Sequence, residues 1–160
     1  MGNQNWATPP WLFEAMNTRF GPFDLDVCAS PENAKCARFL DEQANGLTSR
    51  WSGRCFCNPP FSSIPMWLER GMRAVDSGEC SSVTFVLPAA TDTKWFRNIA
   101  DKMSIYFVVG RVQFVEPPGI DKKRSGNTSG TIIATYPTYS PMMRFFEPKR
   151  RYSAAQEALL

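Results

Sequence analysis

The stretch at residues 54–62, RCFCNPPFS, constrains the chain more than any other. The apolar residues before Asn58 read as the end of a buried strand, and Asn58-Pro59-Pro60-Phe61 as the turn by which it leaves the sheet. Two successive prolines remove two backbone donors and fix φ, so the turn is stiff and its carbonyls point outward. The result is a rigid rim bearing one amide side chain, outward carbonyls and one exposed aromatic face. Such a rim suits a planar group that carries an amine. Asn58 and a proline carbonyl accept its two N–H bonds, while Phe61 stacks on the ring. Accepting both hydrogens aims the nitrogen lone pair at an electrophile, which is one way to methylate a weakly nucleophilic amino group. A proline-rich turn that simply ends a strand is the structural alternative.

Composition removes several classes of chemistry. The chain has no histidine, which excludes histidine acid–base catalysis, Ser-His-Asp triads and histidine-containing zinc sites. Its five cysteines are an odd number, and Cys28, Cys36, Cys55 and Cys57 lack paired CxxC spacing. They read as reduced, mostly buried thiols, with no metal. A net charge of +3 permits nucleic-acid binding without requiring it. No stretch approaches the roughly 18 apolar residues of a membrane span, and the polar start MGNQNWATPP does not read as a signal peptide. A cytoplasmic protein with no membrane partner is expected.

Thr8 is placed to cap a first helix, with Pro9 and Pro10 in its first turn and Leu12, Phe13, Met16 and Phe20 at helical spacing before Gly21. Residues 23–28 alternate apolar and polar, as a strand with one buried face does. A turn over residues 46–53 is anchored by Leu47 and Trp51. Ser63 and Pro65 open a helix with Trp67, Leu68, Met72 and Val75 on one face. Residues 83–87 form an apolar run suited to a buried parallel strand, ended by Pro88. Thr91 or Asp92 caps the next helix, which carries Trp95, Phe96 and Ile99. Residues 105–109 read as a strand, 111–115 as a further extended piece and 131–136 as a final strand.

Between the last two lies a polar, glycine-rich loop with Lys122, Lys123 and Arg124, charges that suit DNA phosphates or plain solvent. From residue 137 the pattern stops. A single domain is expected over residues 1–136 and a basic, aromatic tail over 137–160. In that tail Arg144, Lys149, Arg150 and Arg151 alternate with Phe145, Phe146 and Tyr152. The mix suits a nucleic-acid-binding arm or a tail packed on another subunit, so a homo-oligomer is one option.

Strands alternating with helices argue for an α/β fold with a mainly parallel sheet covered by helices on both faces. The stretch between Asp26 and Asn58 cannot hold two more strand–helix units of about 30 residues each. One sheet edge is therefore missing, or it shrinks to a short strand around residues 37–39.

Seven segments in order, WATPPWLF, FDLDVCAS, ENAKC, GLTSRWSG, NPPF, LPAATDTKWF and GRVQF, resemble the small phage DNA N-6-adenine methyltransferase family. The similarity runs from about Trp6 to Tyr136. It implies a reduced Rossmann-like methyltransferase fold with S-adenosylmethionine at the carboxyl ends of the strands, between Asp26 and Asn58. It also implies methyl transfer to the exocyclic amino group of adenine in double-stranded DNA, with the base flipped onto the NPPF rim. Trp6, Thr8 and Pro9 of the W-x-TP element would lie against the cofactor. Asp26 would bond its ammonium group, with Ala29 and Ser30 as close-approach residues, although no Gly-x-Gly follows. Asn33 would line the same pocket, Asp41 or Glu42 would meet the ribose hydroxyls or stand as solvated surface charges, and Asn58 would border the cofactor. Asn58, Pro59, Pro60 and Phe61 would hold the base, with Arg111 and Phe114 near the cleft and Lys122, Lys123 and Arg124 on the DNA. A phage enzyme of this kind acts in the cytoplasm of a bacterial host.

The same rim chemistry serves the amino group of cytosine, an RNA base or a glutamine amide. A catalytically silent module that keeps the fold and binds nucleic acid is the third option. A nucleotide-binding protein of other chemistry is disfavoured, since the sequence carries neither a phosphate loop nor a metal constellation.

Overall fold

A computed structural model describes residues 6–117 and 129–148. Its strands are β1 (Leu25–Asp26), β2 (Arg38–Phe39), β3 (Arg54–Cys57), β4 (Ser82–Pro88), β5 (Ser104–Val108), β6 (Thr131–Tyr136) and β7 (Met143–Phe146). The helices are α1 (Pro10–Phe20), α2 (Ile64–Asp76) and α3 (Lys94–Ala100). One sheet joins the strands in the order β2-β1-β3-β4-β6-β5-β7. Only β6 runs against its neighbours, β4 and β5; the remaining pairs are parallel. The fold is a Rossmann-like α/β fold with a mostly parallel sheet.

The apolar run at residues 83–87 fills the centre of that sheet because both of its faces are buried. Val83, Phe85 and Leu87 join Cys55, Cys57 and Ile105 on one face, where they meet Trp67 and Leu68 of α2 and Phe96 and Ile99 of α3. Val86, Phe56, Tyr106 and Ile133 point to the other face and pack on Leu12 and Met16 of α1. Alternation along each strand thus feeds two helix layers. Gly71 inside α2 has a packing reason. A Cβ there would lie 2.6 Å from Cζ of Phe85, so the helix can press close to β4 only without one.

Several boundaries differ from the sequence expectation. The strand expected over residues 23–28 has only two paired residues, and the shrunken sheet edge is realised as β2. Thr8 is not the cap of α1: Pro9 holds that position, and the buried Thr8 hydroxyl is used elsewhere. The cap of α3 is Thr93, whose Oγ1 accepts the Phe96 N–H at 3.2 Å, rather than Thr91 or Asp92. The extended piece at residues 111–115 is not part of a named strand among the described residues. Val115 instead bridges antiparallel to Ala7 through two backbone bonds of 2.9 and 2.8 Å. Past residue 137, the segment read as tail contributes β7, paired with β5 at the edge of the sheet.

Candidate active site

A cavity of about 520 Å³ opens where β1 and β3 end. Its walls come from four pieces of chain: the arm at residues 6–8, the loop after β1, the turn after β2, and the turn after β3. Trp67 of α2 also lines it.

The β1 loop is organised by Asp26. Its carboxylate is buried and accepts the backbone N–H of Lys35 at 3.0 Å and that of Cys28 at 3.3 Å. Ser30 and Asn33 tie the intervening turn reciprocally. The Ser30 N–H donates to Asn33 Oδ1 at 2.7 Å, and the Asn33 N–H donates to the Ser30 carbonyl. These bonds make a tight loop around the cavity without the glycine pair that usually makes one. Burial pushes the Asp26 carboxyl up to about 6, against the pull of the Lys35 and Cys28 N–H bonds and the Lys35 charge. Burial likewise pushes the neighbouring Cys28 thiol up to about 12, so it stays protonated at neutral pH and offers no thiolate.

On the opposite wall the β3 turn presents Asn58. Its Nδ2 donates to the Trp6 carbonyl at 2.8 Å and to Thr8 Oγ1 at 3.1 Å. A carbonyl can only accept, so the contact with Trp6 fixes which end of the amide carries the nitrogen. Oδ1 is therefore turned away from the arm. The Pro60 carbonyl accepts the Ser63 N–H at 3.1 Å within a short 3-10 turn over Phe61–Ser63. Phe61 starts this turn with its ring half in solvent.

Residues 2–157 match the family described as DNA N-6-adenine-methyltransferase (Dam). The chain belongs to this family. Among curated relatives, it is 32% identical over 162 residues to a protein named DNA N-6-adenine-methyltransferase from Haemophilus phage HP1, covering 96% of this chain and 84% of that protein. It is 28% identical over 147 residues to the protein of the same name from Escherichia phage T1, covering 80% of this chain and 60% of the relative.

For this Dam-family chain, the cavity gathers most of the residues named from the sequence. Trp6, Thr8, Asp26, Ala29, Ser30, Asn33, Asp41, Asn58 and Pro60 all line it. Pro9 and Pro59 are buried and Phe61 is exposed, and none of the three is a lining residue. Asp41 and Glu42 both border the cavity, with Asp41 Oδ1 also accepting the Ala44 N–H at 2.8 Å. Phe114 is half-buried and packs with the α1-side core, while Arg111 is exposed. Lys122, Lys123 and Arg124 lie outside the described residues. No helix among the described residues is long and apolar enough to cross a membrane.

Gly46, Gln43 and Trp67 also line the cavity without having been singled out as site residues. Trp67 reads from sequence as one more apolar residue on a helix face, and nothing in its spacing marks it as a lining residue. Gly46 carried a detectable signal as a glycine just ahead of an anchored turn. A Cβ there would collide with the Val27 carbonyl and lie 2.9 Å from the Trp67 ring.

Proposed function

We propose that this chain transfers a methyl group from S-adenosylmethionine to the exocyclic nitrogen of adenine in double-stranded DNA. The observation that carries the reading is that Asn58, with its amide direction fixed, faces the same cavity as the buried Asp26.

The cavity suits the cofactor in size and charge. Its volume falls within the roughly 300–1,000 Å³ of small-ligand pockets. Asp26, Asp41 and Glu42 line it against a single lysine, Lys35, which favours a ligand carrying positive charge. Asp26 is buried at a cost that a bound ammonium group would relieve. Asp26 would hold that ammonium, Asp41 or Glu42 the ribose hydroxyls, and Trp6 the arm side of the ligand. When bound, S-adenosylmethionine supplies an electrophilic methyl group on a sulfonium.

The protein's own part is positioning. Asn58 Oδ1 accepts one hydrogen of the adenine amino group and a neighbouring proline carbonyl of the turn accepts the other, while Phe61 stacks on the base. Both hydrogens being held, the nitrogen lone pair is turned into the cavity. The acceptor bonds strengthen as positive charge develops on that nitrogen, so their effect falls on the chemical step. The proton then leaves to water, and no histidine or thiolate is needed to remove it.

The test is single-turnover transfer from labelled S-adenosylmethionine, followed by mass analysis of the digested DNA. Wild-type protein is expected to yield N6-methyladenine. Asn58→Ala is expected to slow transfer by on the order of a hundredfold, with cofactor affinity retained. Methylcytosine without methyladenine would keep the mechanism and overturn the substrate. Full activity in Asn58→Ala would overturn the mechanism.

A further inference from the structure

We propose that Thr8 is a positioning residue for Asn58: its hydroxyl, with the Trp6 carbonyl, locks the amide so that Oδ1 faces the cavity. This rests on the reading of Asn58 as the acceptor of the amino group, and it gives the W-x-TP arm a role distinct from contact with the cofactor.

The arm is built as a one-residue ladder. Ala7 exchanges both backbone bonds with Val115, at 2.9 and 2.8 Å. In extended chain the polar groups of successive residues point to opposite edges. With the edge of Ala7 committed to Val115, the Trp6 carbonyl is presented to the other edge, where Asn58 Nδ2 meets it at 2.8 Å. The side chain of Asn58 thus stands in for a second neighbouring strand. Thr8 adds the second acceptor at 3.1 Å from a side chain only 1% exposed. Its branched Cβ leaves few rotamers, so Oγ1 has a defined position.

Two acceptors on one NH2 group do what one cannot. The terminal torsion of asparagine is broad, and a single bond to Trp6 leaves the amide plane free to swing. Occupying both hydrogens fixes that plane and with it the direction of Oδ1. A flipped amide would set Oδ1 against the Trp6 carbonyl, acceptor facing acceptor. Because Ala7 is held by backbone alone, replacing the Thr8 side chain leaves the anchor of the arm intact.

Thr8→Val keeps the shape and removes the acceptor, and Thr8→Ser keeps the acceptor. With saturating S-adenosylmethionine, single-turnover transfer in Thr8→Val is expected to fall roughly tenfold. Thr8→Ser is expected to restore the rate. Independently of turnover, the two side-chain amide protons of Asn58, followed by NMR in the free protein, are both expected to be protected from exchange in wild type and Thr8→Ser. One should lose protection in Thr8→Val. A wild-type rate in Thr8→Val, a Thr8→Ser variant as slow as Thr8→Val, or a loss confined to cofactor affinity would each overturn the proposal. If wild type transfers no methyl group, the proposed function falls, and the NMR arm still decides on Thr8: equal protection in Thr8→Val and wild type overturns the locking role.

Discussion

The Asp26 carboxylate accepts the backbone N–H of Lys35 at 3.0 Å, so one buried charge closes the whole loop that follows β1. That arrangement has a pH signature. The folded protein holds the Asp26 proton up to about 6, against an ordinary value of 3.8. Folding therefore favours the protonated form. This group's contribution to stability is fully present below about 4 and is lost as the pH rises through 6. Binding of a cation runs the other way, because it requires the ionised carboxylate. Affinity for S-adenosylmethionine is expected to be greatest near pH 7, where the carboxylate is ionised and the ligand's ammonium still protonated, and to fall by up to about tenfold per unit below 6. Calorimetry across that range checks it, with Asp26→Asn expected to bind weakly at every pH. A wild-type affinity that does not change between pH 5 and 7 would remove Asp26 from the ligand.

Gly46→Ala tests the far wall. Trp51 Nε1 donates to the Gly46 carbonyl at 2.7 Å, so the backbone there cannot back away from Val27 and Trp67 without breaking a buried bond. The substitution is expected to destabilise the protein by about 1–3 kcal/mol through overpacking, and to weaken cofactor binding by displacing Trp67. Urea titration reads the first effect and calorimetry the second. An alanine variant with unchanged midpoint and affinity would show that the turn yields freely.

Phe61 separates stacking from folding. Its ring is 52% exposed and outside both apolar clusters, so Phe61→Ala should leave the melting temperature near that of wild type. Stacking on a flipped base is worth roughly 1–3 kcal/mol, and kcat/KM for DNA should fall accordingly. Phe61→Tyr keeps the ring face and should keep activity. Normal turnover by the alanine variant would place the base elsewhere.

How much of this was legible in the sequence depended on range. β4 and α2 could be read because their signals are local: an apolar run ended by Pro88, and a stripe opened by Pro65. Thr8 was misread as a helix cap because a threonine before two prolines looks like one. Its actual partner, Asn58, is 50 residues away and leaves no local trace. β7 escaped notice because Met143, Arg144 and Phe145 are all exposed, so no buried face marks Met143–Phe146 as a strand. The cavity wall at Asp26 and Ser30 was legible only through family resemblance. The bonds that let this loop close without glycines come from Asp26 to Lys35 and from Asn33 to Ser30, and composition does not announce them.

The position of β6 has a consequence for synthesis of the protein. Among the described residues, β5 pairs in the sheet with β6 and β7 alone, both of which come later in the chain. A ribosome delivering this protein from its N-terminus releases every cavity-lining residue long before β5 can be seated. Val115, which follows β5, holds the arm that orients Asn58. Until β6 is made, β5 has no strand to join it to β4, and the bridge from Val115 to Ala7 depends on a β5 that is not yet in the sheet. Competence for catalysis should arrive late in translation, when the antiparallel strand slots between its two neighbours.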